Sequence, residues 1–136
     1  MIGAPVGLVL CGAARHDKRA KGTGTLSAEA LIDAEVVDVV LKYSFMRRRP
    51  MDGGAWFKPN KDPSFPSAHS IGIWAVASTI ASEYRGRPVA VGAYAAAGAV
   101  AVSRWGAHRH HWSDIVVGSA MGWLIGHYVA RHHPIR

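Results

Sequence analysis

Residues 103–114, SRWGAHRHHWSD, lie between two apolar segments and contain three side chains suited to chemistry on an anion. His110 and Asp114 are four residues apart, so one turn of helix could bring them together. A carboxylate bonded to one imidazole nitrogen fixes the tautomer and leaves the other nitrogen as a nucleophile or a base. Arg104 adds a fixed positive charge whose paired donors match phosphate oxygens. The stretch therefore indicates a site for an anionic group at the ends of two helices.

The segments around this stretch predict an all-α fold. Three of them are rich in Ala, Gly, Val and Ile, lack alternating polar positions and are bounded by Gly and Pro, so helices fit better than strands. They cover residues 68–82, 88–103 and 115–126. A fourth helix is predicted over residues 28–45, with Ser27 as its N-cap. The length of 136 residues suits one domain, and we expect a single helical bundle.

The remaining segments are predicted to be loops or a short helix. Residues 16–25, HDKRAKGTGT, are basic and contain glycine, which is typical of a surface loop. Residues 47–66 form a long Pro- and Gly-rich loop, and such loops are often functional. Residues 1–14 carry no charge and predict a short buried helix or the end of a longer one. Cys11 is the only cysteine, so no intramolecular disulfide can form.

Charge narrows the class of partner. The formal net charge is +7 and the pI is about 10.1, which favours nucleic acid, anionic headgroups or phosphorylated substrates. A nucleic-acid partner is disfavoured because no basic helix interleaves exposed aromatic residues. On the helix of residues 28–45, Glu35, Asp38 and Lys42 share one face. That face is either solvated or supports a polar site.

Two further clusters stand at helix ends. Lys42 is followed by Arg49, and both supply positive charge. Ser67 can cap a helix that begins near Ala68, whose N-terminus presents free N–H groups to an anion. His69 is a second imidazole that can donate a proton. Together with residues 103–114, these clusters contain what metal-free phosphoryl transfer requires.

Two other interpretations use the same residues. His108, His110, His111 and Asp114 could ligate zinc, but the neighbouring arginines would repel a cation. Ser67, His110 and Asp114 could form a hydrolase triad, but no G-x-S-x-G sequence surrounds the serine. Both are disfavoured.

Taken in order, the three clusters resemble the signature of the type-2 phosphatidic acid phosphatase (PAP2) superfamily, which includes bacterial acid phosphatases and vanadium haloperoxidases. Its first part, lysine, six residues and Arg-Pro, matches Lys42 and Arg49 before a proline. Its second part, Pro-Ser-Gly-His, matches residues 66–69, with Ala68 where the family has glycine. Its third part, Ser-Arg, five residues, His, three residues and Asp, matches residues 103–114. The resemblance covers residues 26–129.

The resemblance implies a metal-independent phosphatase without a cofactor. In this scheme His110 attacks phosphorus and forms a phosphohistidine, Asp114 orients it, and His69 protonates the leaving oxygen. The implied phosphate-binding residues are Lys42, Arg49, Ser67, Ala68 and Arg104. A vanadium-dependent haloperoxidase and a non-catalytic membrane member of the same fold remain as alternatives.

The resemblance also implies a location and a class of substrate. We expect a phosphate monoester or diphosphate, and a lipid phosphate in particular. The bundle is expected to be transmembrane, in a bacterial inner membrane, with its site on the extracytoplasmic side. Residues 1–136 would then form one phosphatase domain that lacks an N-terminal portion, since the chain has room for fewer helices than such membrane members.

Overall fold

A computed structural model of the chain describes residues 17–59, 61–84 and 86–133. Within these ranges there is no strand, and the all-α prediction is confirmed. The four α-helices, numbered in chain order, are α1 (Lys18–Phe45), α2 (Ala68–Glu83), α3 (Arg87–Gly106) and α4 (Trp112–His132). A 3-10 turn, Pro50–Asp52, lies in the loop between α1 and α2. Residues 1–14, with Cys11, lie outside the described residues.

Helix α2 is the centre of the bundle and packs against the other three helices. The core is built largely from small side chains, which let helices approach closely. Its buried members are Leu26, Ala30, Ala34, Ile71, Ala75 and Val129. Helix α3 is the most peripheral of the four, because only Ala97 and Ala101 are buried on it. Helix α4 has the most extensive contact with α2, while α1 and α3 pack on α2 to similar extents.

Glycines bring α4 into backbone contact with α2. Gly118, Gly122 and Gly126 recur every four residues and so share one face of α4. A Cβ atom on Gly122 would lie 2.1 Å from the carbonyl oxygen of Ile71, and one on Gly126 would lie 2.1 Å from that of Ala75. The two helices run parallel, since successive glycines meet successive turns of α2. Their N-termini therefore lie at the same end of the bundle.

The start of α1 differs from the sequence prediction. The helix begins at Lys18 rather than residue 28, because Asp17 is its N-cap and accepts hydrogen bonds from the N–H groups of Arg19 and Ala20. The predicted loop of residues 16–25 is thus helical from Lys18 onward. Ser27, the predicted N-cap, is fully buried inside the helix. The small residues of this segment are buried in the fold, and this tertiary packing outweighs the low helix propensity of its glycines.

The other predicted helices are confirmed. Helices α2 and α3 are one to four residues longer than predicted, whereas α4 extends well beyond the predicted residues 115–126 at both ends. The long loop is also confirmed, from Met46 to Ser67 between α1 and α2. A transmembrane bundle was expected as well. In the described ranges, none of the helices has both the length and the hydropathy that a membrane crossing requires.

Candidate active site

Four helix ends meet at one end of the bundle and surround a cavity of about 250 Å³. Lys42 lies in the last turn of α1 and Arg104 in the last turn of α3, while Ala68 and His69 open α2. The described residues that line the cavity are Lys42, Arg49, Ala68, His69, Arg104, Arg109 and His110. Four of these are permanently cationic and none is a carboxylate. The cavity is therefore suited to an anion, and the N-terminus of α2 adds its partial positive charge.

Lys42 is held by a buried acidic partner. Its Nζ atom lies 2.5 Å from Oδ2 of Asp38, one turn earlier on α1. Burial raises the pKa of Asp38, and the hydrogen bond from Lys42 acts in the opposite direction. Glu35, by contrast, is exposed. The polar face of this helix therefore supports a polar site through Asp38, which was one of the two interpretations of the sequence. The part of the face that carries Glu35 is solvated.

Arg49 is fixed by three hydrogen bonds. Its Nε and Nη2 atoms donate to the two carboxylate oxygens of Asp62 at 2.8 and 2.7 Å, and Nη1 donates to the carbonyl of Arg109 at 2.8 Å. The Arg49 guanidinium also lowers the pKa of Asp62, chiefly through these hydrogen bonds. A guanidinium has five N–H donors, so two are left for an anion in the cavity. The side chain is thereby aimed before any substrate binds.

His110 is nearly buried, and a main-chain carbonyl orients it. Its Nδ1 atom lies 2.8 Å from the carbonyl oxygen of Ser64, in the loop before α2. A carbonyl can only accept, so Nδ1 carries the proton and Nε2 holds a free lone pair. Burial lowers the pKa of His110 to about 4 and outweighs the opposing effect of the Ser64 hydrogen bond. The imidazole is therefore neutral at physiological pH and has one nitrogen available as a nucleophile.

Asp114 does not make the hydrogen bond to His110 that its spacing predicts. Its Oδ2 atom lies 3.9 Å from Nδ1 of His110, beyond hydrogen-bonding distance. That oxygen accepts the backbone N–H of His111 at 2.9 Å, as part of a capping box at the start of α4. Its Oδ1 atom accepts from Nη1 of Arg47 at 2.6 Å. The carboxylate is thus used by the helix cap and by Arg47, and Ser64 takes its expected place.

The start of α2 contributes one imidazole and one N–H group. Partial desolvation and then the positive charge of Arg104 lower the pKa of His69 below 6.5. Ala68 lines the cavity and is the first residue of the helix. Ser67 is fully buried and does not line the cavity, and its Oγ atom accepts the N–H of Ser70 at 3.4 Å. Its predicted capping role is confirmed, whereas a direct contact with phosphate stays a prediction.

The three neighbouring histidines have different environments. His108 is exposed, with a positive φ of 52°, while His111 is the N-cap of α4. Only His110 of the three lines the cavity. In the parts of the chain that the structure describes, no three His, Cys, Asp or Glu side chains are grouped to hold a metal ion.

Four residues at the site were not among the site residues predicted from the sequence. Arg47 pairs with Asp114, Asp62 with Arg49, and Ser64 with His110, while Arg109 lines the cavity. Arg47 and Arg109 stand beside motif residues in basic runs, which is a weak signal. The hydrogen bond of Ser64 uses only its main chain, and nothing in its side-chain type could have indicated it.

The chain is similar in sequence to known proteins of one family. The family model of the PAP2 superfamily matches residues 24–136. A lipid A 1-phosphatase from Porphyromonas gingivalis is 38% identical to the chain over 87 residues. That match covers 62% of this chain and 18% of the relative's length, so the chain spans about a fifth of that protein. No solved structure matches. The family match covers most of the chain and includes all three clusters, and the chain belongs to the PAP2 superfamily.

Proposed function

We propose that the protein is a metal-independent phosphatase that hydrolyses a phosphate ester through a phosphohistidine on His110. The observation that carries this proposal is the state of that imidazole. Its Nδ1–H group donates a hydrogen bond to the Ser64 carbonyl, which leaves the Nε2 lone pair free. The ring lines a cavity that four cationic side chains also line. A neutral imidazole beside an anion site is the combination that nucleophilic attack on phosphorus needs.

The cations act as the charge on the phosphoryl group develops. Lys42, Arg49 and Arg104 bind its oxygens, together with the first N–H groups of α2. Asp38 and Asp62 hold two of these side chains in place, so little reorganisation accompanies binding. Fixed donors of this kind stabilise a transition state more than they stabilise the substrate.

The reaction proceeds in two displacements. Nε2 of His110 forms a bond to phosphorus while the bond to the leaving oxygen breaks, and His69 gives that oxygen a proton. Water then attacks the phosphohistidine, the P–N bond breaks, and His69 takes the proton from the water. The same imidazole is acid in the first step and base in the second. A bound phosphate dianion favours protonation of His69, against the nearby cations that lower its pKa.

A lipid phosphate is the proposed substrate. The support is the name of the partial relative, a lipid A 1-phosphatase, and the exposed aromatic residues near the site. Trp105 and Trp112 directly flank the loop that carries His110, stack with ring centroids 5.0 Å apart, and are about half exposed. Trp56, in the loop before α2, differs from these two because its ring packs against Phe45 and Phe65. A lipid substrate would place the enzyme at a cell membrane, with acyl chains against Trp105 and Trp112.

Comparing two substrates tests the lipid proposal. Trp105→Ala should lower kcat/KM on phosphatidic acid in mixed micelles and leave hydrolysis of p-nitrophenyl phosphate nearly unchanged. Trp56→Ala is the matched aromatic variant, and it should affect both substrates alike because its ring supports the loop. Equal loss on both substrates in Trp105→Ala would rule out the acyl-chain contact.

Trapping the intermediate tests the chemistry. Rapid quenching with a ³²P-labelled substrate should give an acid-labile, base-stable label that peptide mapping places on His110. His110→Ala should give no label. His69→Ala should still be labelled by p-nitrophenyl phosphate, whose leaving group needs little protonation, and should fail with an alkyl phosphate. A label on His69, His108 or His111 would refute the assignment.

A further inference from the structure

Arg47 does not line the cavity and stands at one of the six variable positions of the first motif, yet its side chain is bound directly to a residue of the third motif. Its Nη1 atom donates to Oδ1 of Asp114 and to Oγ of Ser113, both at 2.6 Å. Its guanidinium carbon lies 4.3 Å from the ring centroid of Trp56, and the side chain is 12% exposed. The guanidinium is therefore held from two sides, by the start of α4 and by the aromatic residues of the loop.

Asp114 needs a positive partner because its side chain is completely buried. A buried carboxylate without a cation or hydrogen bonds is strongly unfavourable. Two positively charged partners are available to it: Arg47 at 2.6 Å and, once protonated, His110 at 3.9 Å. In the structure Arg47 is the positively charged partner of Asp114, and the Nδ1–H group of His110 donates its hydrogen bond to the Ser64 carbonyl.

We propose that Arg47 is a positioning residue that holds the Asp114 carboxylate away from His110, so that the Ser64 carbonyl alone fixes the histidine proton. Without Arg47, the buried charge of Asp114 would be compensated by protonating His110. A protonated imidazole has no lone pair on Nε2, so the nucleophile would be lost at neutral pH. Arg47 thus keeps the nucleophile in its reactive state without touching the phosphate.

Other charged groups also face His110, and they set the background against which Arg47 acts. Two of these groups are ion-paired: Lys42 of α1 with Asp38, and Arg49 of the loop with Asp62. The others are His69 of α2, Arg104 at the end of α3 and Arg109 in the turn after it. All but the two paired carboxylates and His69 are cations that disfavour protonation. Asp114 is therefore the carboxylate whose release would change the state of His110 most.

The test is an NMR titration of the free protein with ¹³C-labelled histidines, the His110 signal being assigned by its loss in His110→Gln. In the wild type His110 should stay neutral down to pH about 4. In Arg47→Met its pKa should rise by about 1–3 units, the range expected for an imidazole beside an unshielded carboxylate. Arg48→Met removes an exposed neighbouring charge and should leave the titration unchanged.

Removing a cation can also raise the pKa of His110 directly, and a double variant separates the two routes. If Arg47 acts through Asp114, Arg47→Met/Asp114→Asn should titrate like Asp114→Asn alone. The proposal would be overturned if the pKa of His110 rose as much from Asp114→Asn to the double variant as it does from the wild type to Arg47→Met. An unchanged His110 pKa in folded Arg47→Met would overturn it as well. Should Arg47→Met fail to fold, Arg47→Gln takes its place in the cycle, because its amide can still donate to Asp114 while the positive charge is gone; its His110 pKa should rise, and an unchanged value would overturn the proposal.

This inference rests on the proposed function only for naming His110 as the nucleophile. The titration uses no substrate, so it can succeed even where phosphatase activity is absent. Conversely, a phosphohistidine on His110 with an unaltered titration in Arg47→Met would leave the enzyme intact and remove the role of Arg47.

Discussion

Gly122→Ala should damage stability and activity together, because one methyl group would separate the two helices that form the site. The added Cβ atom would lie 2.1 Å from the Ile71 carbonyl oxygen, 2.9 Å from its carbonyl carbon and 3.0 Å from the Ala75 nitrogen. All three are backbone atoms, so no side chain can rotate away. Ordinary contact begins at 3.4 Å, so α4 must move from α2 by about 1.3 Å to reach it.

The magnitude follows from two opposed effects. Overpacking of this kind costs about 1–3 kcal/mol, and more where backbone must move. Alanine regains roughly 1 kcal/mol of helix propensity over glycine. We expect a net loss of up to about 2 kcal/mol, which lowers the midpoint of thermal unfolding by up to roughly 8 °C for a domain of this size. A 1 Å displacement of reacting groups can cost on the order of 10²-fold in rate.

Gly92→Ala is the matched control. A Cβ atom there meets nothing within 4 Å, so only the propensity gain remains and stability should rise slightly. Thermal unfolding is followed by circular dichroism, and activity by hydrolysis of p-nitrophenyl phosphate. If Gly122→Ala melts with the Gly92→Ala variant and keeps its activity, the backbone contact between α2 and α4 is not as described.

Three further predictions concern the cavity and its charges. Arg104→Lys keeps the charge and loses the paired donors, so kcat/KM should fall by about 10²-fold or more, while Arg109→Lys should be milder; the reverse order in steady-state assays would contradict the motif register. EDTA should leave activity intact and vanadate should inhibit it, whereas activity lost in EDTA and restored by zinc would contradict metal independence. Between pH about 6.5 and 4, His110 becomes protonated in the unfolded chain but stays neutral in the folded protein. The free energy of unfolding should therefore fall by up to about 3 kcal/mol as the pH drops through this range. Urea unfolding should show a shallower pH dependence in His110→Gln, and an unchanged slope would refute the low pKa of His110.

The apolar helices were predictable because their composition and their bounding residues agree. The segments of α2, α3 and α4 are rich in apolar and small residues, and Ser67 gives a local start signal that the structure uses. The first ten residues of α1 were missed because glycine and lysine there indicate a loop locally. Their helical state depends on contacts with distant residues, such as Arg19 against the ring of Tyr84. Local signals cannot report such packing.

The site shows the same division between local and distant information. Motif spacing predicted which charged side chains to expect, and the structure places Lys42, Arg49, Arg104 and His110 in the wall of one cavity. The partner of Lys42, Asp38, lies one helical turn away on the face that the sequence predicted. The partners of His110 and Asp114 were not predictable, because they come from elsewhere in the chain. Ser64 is 46 residues from His110, and Arg47 is 67 residues from Asp114. The folded loop before α2 determines which group accepts the hydrogen bond from Nδ1 of His110.

The acceptor that orients His110 belongs to the polypeptide backbone, and this has a genetic consequence. Every amino acid at position 64 supplies that carbonyl, so no missense change there removes the acceptor group. A saturation-mutagenesis map would detect the bond only indirectly, through substitutions that displace the loop. The orientation of the nucleophile is in this sense protected from single-nucleotide change, in a way that a carboxylate acceptor would not be.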